Sequence, residues 1–96
     1  MSRPELFRFR LYVAGDTQNS IQAVANLTVL CRANLPNQHQ IEIVDVLREP
    51  MRALKDHIHM TPTLVKLAPS PVRTIVGTLS QTQPLLQALG LVTFAP

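Results

Sequence analysis

The chain has 96 residues, 46% of them hydrophobic, with nine basic and six acidic side chains and a net charge of +3. That length predicts one domain, residues 1–96, with one modest core. Three Phe, one Tyr and no Trp argue against a stacking platform for single strands, and basic groups scattered with no run of three make nucleic acid an unexpected partner.

Met1-Ser2-Arg3-Pro4-Glu5 carries no signal-peptide apolar region, and no apolar run approaches the ~18 residues of a membrane span. A cytoplasmic protein that does not enter membranes is expected. Phe7, Phe9, Leu11 and Val13 alternate with Arg8, Arg10 and Tyr12, the period of a strand with one well-buried face and one partly covered. Gly15-Asp16 breaks it.

From about Ser20 the period lengthens, and Ile21, Val24, Leu27, Thr28, Cys31 and Leu35 fall on one helical stripe. Thr17, Asn19 and Ser20 offer oxygens to cap the helix start, and Asn34 to Asn37, containing Pro36, ends it. Cys31 on that stripe is read as a small core residue. It is the only cysteine, so no intramolecular disulfide forms and a reducing compartment is implied.

Ile41 to Val46 reads as a second strand. Pro50 suits the first turn of a short helix from Met51 to about Ile58, which Thr61-Pro62 stops because a residue before proline disfavours the α region. Thr63 to Leu67 is a third strand, Pro69-Ser70-Pro71 a rigid connector, and Val72 to Val76 a fourth strand antiparallel to the third, closed by Gly77. Ser80 or Thr82 begins a last helix, with Gln83 placed for a Ser-x-x-Gln box and Pro84 tolerated in the first turn. Leu85, Leu86 and Leu89 supply its apolar face and Gly90 its stop; Leu91 to Pro96 is left unassigned. The order is β-α-β-α-β-β-α. The first two strands should be parallel with a right-handed crossover. A strand, a short helix and Met60-Thr61-Pro62-Thr63 entering another strand form the back half of a thioredoxin-like unit, an α/β domain on a mixed four-stranded sheet.

A redox member of that fold carries Cys-x-x-Cys at the start of the first helix; here stands Gly15-Asp16-Thr17-Gln18-Asn19-Ser20. Thiol exchange needs a low-pKa thiolate at a helix start, which Cys31 deep in the helix is not. Glutathione-transferase-like use of Tyr12 or Ser20 would need a second helical domain. His57-x-His59, His39 and Cys31 have no metal-ligand spacing, so no metal is expected. Nothing pairs Asp16, Asp45 or Asp56 for acid–base work, and Gly15, Gly77 and Gly90 are too dispersed for a phosphate loop. No cofactor is implied. Elimination leaves a binding domain working through a sheet edge or a helix face.

Leu11-Tyr12-Val13-Ala14-Gly15, Asn19-Ser20, Asp45-Val46-Leu47 with Pro50, Thr61-Pro62-Thr63-Leu64 with Lys66, Pro69, Pro71-Val72-Arg73 and Gly77 with Leu79-Ser80 together resemble the circadian clock protein KaiB family over about residues 6 to 90. The same pattern occurs more loosely in the sensory domain of clock-associated histidine kinases. The resemblance implies a non-catalytic protein that binds the N-terminal ring of a KaiC-type hexameric ATPase and modulates its phosphorylation or ATPase cycle. It also implies a metamorphic chain: a ground-state fold, commonly tetrameric, exchanging with a monomeric thioredoxin-like fold, the two differing after about Leu47. Pro62, Pro69 and Pro71 are candidate fold-switch prolines, since X-Pro isomerisation is slow.

By the same resemblance Arg48, Lys66 and Arg73 match basic family positions, with His57 where a lysine is common; these are the expected KaiC contacts, as exposed charges. Several positions depart from the family. Gly-Asp-Leu-Ser becomes Gly77-Thr78-Leu79-Ser80, Ser70 interrupts a three-proline run, Gln81-Thr82-Gln83-Pro84 replaces charged residues, and the acidic tail is absent. These changes favour the thioredoxin-like form. On the second-strand edge Gln40 and Glu42 stand where cyanobacterial members present a small residue and a lysine to KaiA, so KaiA binding is disfavoured. A sensory or adaptor domain of a histidine-kinase or stress-response pathway is the alternative function, and homo-oligomers (dimer or tetramer) are compatible with either. An enzyme using the cleft between Gly15-Asp16 and Pro62 is a weaker third reading.

Overall fold

The computed structural model describes residues 5–91. The expectations made for Met1 to Pro4 and for the end of the unassigned tail lie outside them. The elements run β1 (Phe7–Val13), α1 (Gln18–Asn34), β2 (His39–Asp45), α2 (Pro50–Lys55), β3 (Thr63–Ala68), β4 (Arg73–Val76) and α3 (Thr82–Ala88). The sheet order is β2-β1-β3-β4. β1 is parallel to β2 and antiparallel to β3, and β3 is antiparallel to β4. This is the expected mixed sheet, and residues 48–90 occupy the thioredoxin-like arrangement. The peptide bonds before Pro62, Pro69 and Pro71 are cis.

The alternation in β1 decides the layering. Phe9, Leu11 and Val13 point to one face and join Leu27, Leu30 and Cys31 of α1, Leu64 of β3, and Leu85, Leu86 and Leu89 around α3. Each such leucine taken fully from water stabilises the fold by about 2 kcal/mol. Tyr12 points the other way and is also fully buried, with Val44 and Ala53 under α2.

Thr17 caps α1: its hydroxyl accepts from Ser20 N at 3.4 Å. The buried stripe of α1 is Ser20, Ala23, Leu27, Leu30 and Cys31. Ile21, expected on the stripe, is exposed, because small Ser20 and Ala23 are the residues that let the helix start approach the sheet. Asn26 Nδ2 donates to Thr78 O at 2.8 Å and ties α1 to the loop before α3.

α2 is shorter than expected, ending at Lys55, and His57 just after it takes a left-handed backbone, φ 58°. The expected capping box of α3 does not form. Gln81 is its N-cap with no side-chain bond, and the Ser80 hydroxyl instead accepts from Thr78 Oγ1 at 3.2 Å. The C-terminal stop is as expected. Gly90 has φ 75°, and Leu91 N donates to Leu86 O at 2.8 Å, the reach-back bond of a left-handed cap.

Candidate docking surface

At the carboxyl ends of β1 and β2 the chain builds a polar mouth. Ala14 N donates to Ser20 Oγ at 3.1 Å, and Thr17 Oγ1 donates to the same oxygen at 2.8 Å. The carboxylate of Asp45 accepts from Gly15 N at 3.1 Å and Leu47 N at 2.9 Å, clamping the two loops together. Hydroxyls and backbone amides therefore satisfy each other where a redox domain would present thiols. Cys31 is fully buried, and burial pushes its thiol up to about 11, so it carries almost no thiolate near neutrality.

A groove of about 580 Å³ opens between Ile21 and Val24 of α1, Ile43 of β2, and Asp45, Arg48 and Glu49 beyond it. Next to it α2 turns an apolar face to solvent. Leu47 is 71% exposed and Met51 73%, and Leu54 and Met60 are exposed as well. Met51 and Leu54 are three residues apart within α2, the spacing that puts side chains on one side of a helix, and Leu47 lies exposed in the turn that precedes it.

The opposite side of α2 is held to the sheet by an ion-pair chain. Arg10 Nε donates to Glu42 at 2.8 Å and Arg10 NH1 to Asp56 at 3.1 Å. Arg52 reaches Glu42 at 2.9 Å and Glu49 at 3.4 Å. The buried Tyr12 hydroxyl donates to Asp56. The Arg10 hydrogen bond, seconded by Arg52, lowers the pKa of Glu42; the Tyr12 hydrogen bond does the same for Asp56. Desolvation, then the bond to Asp56, raises Tyr12. Arg10 and Arg52 are both raised, chiefly by Glu42.

The residues singled out in the sequence fall into separate places. Arg48, with a side chain 87% exposed, and the exposed His57 flank α2 at its two ends. Arg73 is exposed at the start of β4, far across the sheet order from β2. Gln40 and Glu42 do lie on an edge strand, but Glu42 is already held by two arginines.

The expected exposure of Lys66 is corrected: the residue is 3% exposed. It pairs with Phe9 and so shares the core face, where its ammonium lies 5.8 Å from the Phe7 ring centre and donates to Leu89 O at 3.5 Å. The carbonyl end of α3 and an aromatic face thus take the place of water around the charge. Sequence reasoning missed the ion-pair chain. Its signal was available: laying β1 parallel to β2 puts Arg10 beside Glu42.

Solved structures set the class. The N-terminal domain of Synechococcus elongatus SasA aligns with 100% of this chain and 94% of its own at TM-score 0.73 and 18% identity. Thioredoxin Deadhead from Drosophila melanogaster covers 93% of this chain and 83% of its own at TM-score 0.71 and 12% identity. The chain is a thioredoxin-like domain whose helix mouth carries hydroxyls in place of thiols. The KaiB domain model matches residues 10–91. Circadian clock protein KaiB3 of Synechocystis sp. is 42% identical over 83 residues, 86% of this chain and 81% of that protein. Circadian clock oscillator protein KaiB of Synechococcus elongatus is 38% identical over 91 residues, 95% of this chain and 89% of that one. The chain belongs to the KaiB family of circadian clock proteins. Among the described residues no helix is long and apolar enough to cross a membrane, and no group of three metal-ligating side chains converges.

Proposed function

We propose that this chain is a non-catalytic KaiB-like regulator that docks on a KaiC-type hexameric ATPase and modulates its phosphorylation or ATPase cycle. The observation that carries the reading is the exposed apolar face of Leu47, Met51 and Leu54, flanked by Arg48 and His57 and backed by the ion-pair chain. Apolar anchors with a charged rim are what a protein interface needs, and a rigid backing limits the ordering that docking costs. Arg73 belongs to this contact only if the ATPase surface reaches across to β4. Lys66 acts from within the core by seating α3. The KaiA contact stays disfavoured, because Glu42 carries the wrong charge and its carboxylate is engaged.

Size-exclusion chromatography of the purified chain with a KaiC-type hexamer, in ATP and in ADP, tests the proposal. Co-elution is expected, with Arg48→Glu plus Met51→Glu weakening it at least tenfold. Co-elution unchanged in that double variant would overturn the surface. Absence of any complex, with binding to a histidine kinase instead, would replace the function with the adaptor reading.

A further inference from the structure

Peroxides oxidise side-chain sulfur, and how fast depends on exposure and, for a thiol, on its thiolate fraction. This chain places its sulfur unevenly. It has one cysteine and three methionines. Cys31 is fully buried with its thiol pushed up to about 11, so it is a poor target near neutrality. Met1 lies outside the described residues. The two described methionines are both open to solvent, Met51 at 73% and Met60 at 63%.

Met51 sits where a change of polarity matters. It follows Pro50 in the first turn of α2. Ala53 is the buried residue of that helix and packs with Tyr12 and Val44, so Met51 and Leu54 turn to solvent on the other side. Oxidants of this kind leave Leu47 and Leu54 alone, which makes Met51 the one convertible anchor of the exposed apolar face. Neither Met51 nor Met60 belongs to either core cluster. Adding an oxygen to Met51 therefore removes no packing, and Ala53 and the Arg52–Glu42 pair still hold α2 to the sheet. The docking face does change. A thioether is apolar and deformable, whereas a sulfoxide is polar and accepts hydrogen bonds. Pressed against a partner's apolar surface, the sulfoxide oxygen would lose its water and gain no donor.

We infer that Met51 is an oxidant-responsive modification site, whose conversion to the sulfoxide releases the chain from its partner without unfolding it. The inference rests on the docking reading above and adds its regulation. Hydrogen peroxide delivers one oxygen to the sulfur lone pair: the S–O bond forms, the O–O bond breaks and water leaves. Sulfur is oxidised by two electrons and the peroxide is reduced by two. Methionine sulfoxide reductase reverses the step, taking the oxygen off as water while two thiols of a reductant become a disulfide. Met60 lies past the end of α2, in the bend before Pro62, and serves as an internal gauge of reactivity.

The test treats the purified chain with hydrogen peroxide, removes the excess with catalase, and titrates the product against an untreated KaiC-type hexamer. Peptide mass spectrometry follows each methionine, and circular dichroism follows the fold. Met51 should gain one oxygen in the native chain about as fast as in urea, with an unchanged spectrum. The Kd should rise at least about tenfold, the loss of one apolar anchor, and recover after treatment with the reductase and dithiothreitol. The ratio of treated to untreated affinity should stay near one in Met51→Leu and match the wild type in Met60→Leu. Met51→Gln, a polar side chain of similar length, should dock weakly with no oxidant present. Protection of Met51 in the native chain relative to urea overturns the modification site. Docking unchanged once Met51 is fully oxidised, or an equal response to peroxide in Met51→Leu, overturns the switch. No complex even with the untreated chain overturns the docking reading and the switch with it.

Discussion

Reversing the charge at Lys66 separates a solvated docking residue from a core one. On a free surface Lys66→Glu would change stability by no more than ~0.5 kcal/mol. In the observed position it removes the hydrogen bond from a charged donor to Leu89 O, about 1.5–3 kcal/mol, and the cation–π contact with Phe7, about 0.5–2 kcal/mol. It also sets a carboxylate against the carbonyl end of α3, which adds roughly 0.3–1 kcal/mol of repulsion. The expected loss is about 3–5 kcal/mol, the range for a buried charge left without a partner. That is near half of the ~5–14 kcal/mol a chain of this length holds. With a urea slope of ~1–2 kcal/mol per molar, the unfolding midpoint should fall by about 2–4 M. Lys66→Met makes the informative pair. It keeps the stem volume and removes the desolvation cost, which offsets the lost contacts, so it should lie within about 1 kcal/mol of the wild type or above it. Urea titrations followed by circular dichroism measure both. A Lys66→Glu protein as stable as the wild type would refute the buried placement and return Lys66 to the surface.

Three further outcomes follow from the titrating groups. Glu42 and Asp56 have folded pKa values below their ordinary 4.5 and 3.8, so the stability they supply is complete above those values and is lost as the pH falls through the lower folded ones. Tyr12→Phe should cost about 1–2 kcal/mol at neutral pH and flatten the acid limb of the stability–pH curve; an unchanged limb would show that Tyr12 does not hold Asp56. At the alkaline end the raised Tyr12 contributes below pH 10 and loses that contribution as the pH climbs to its folded value. Cys31, pushed up to about 11, should resist thiol reagents at pH 8 in the native protein and react fully in urea; rapid native labelling would contradict its burial.

Local chemistry alone determined much of this protein. Period-two alternation in β1, the pre-proline stop at Thr61-Pro62, the short proline link between β3 and β4 and the Gly90 terminus are short-range effects, so the order of elements, the parallel β1–β2 pair and the sheet type were legible in the residues. So was the missing thiol pair, and so was the family, because its motifs are spread through every element. Tertiary structure decided what depends on neighbours far along the chain. From the sequence Lys66 reads as an exposed charge, and only its register opposite Phe9 and the cover of α3 show it on the core face. The helical period of α1 admitted two phases, and the depth available beneath Ser20 and Ala23 chose between them. The Arg10–Glu42–Arg52 chain required the β1–β2 register, because Arg10 and Glu42 are brought side by side only by strand pairing.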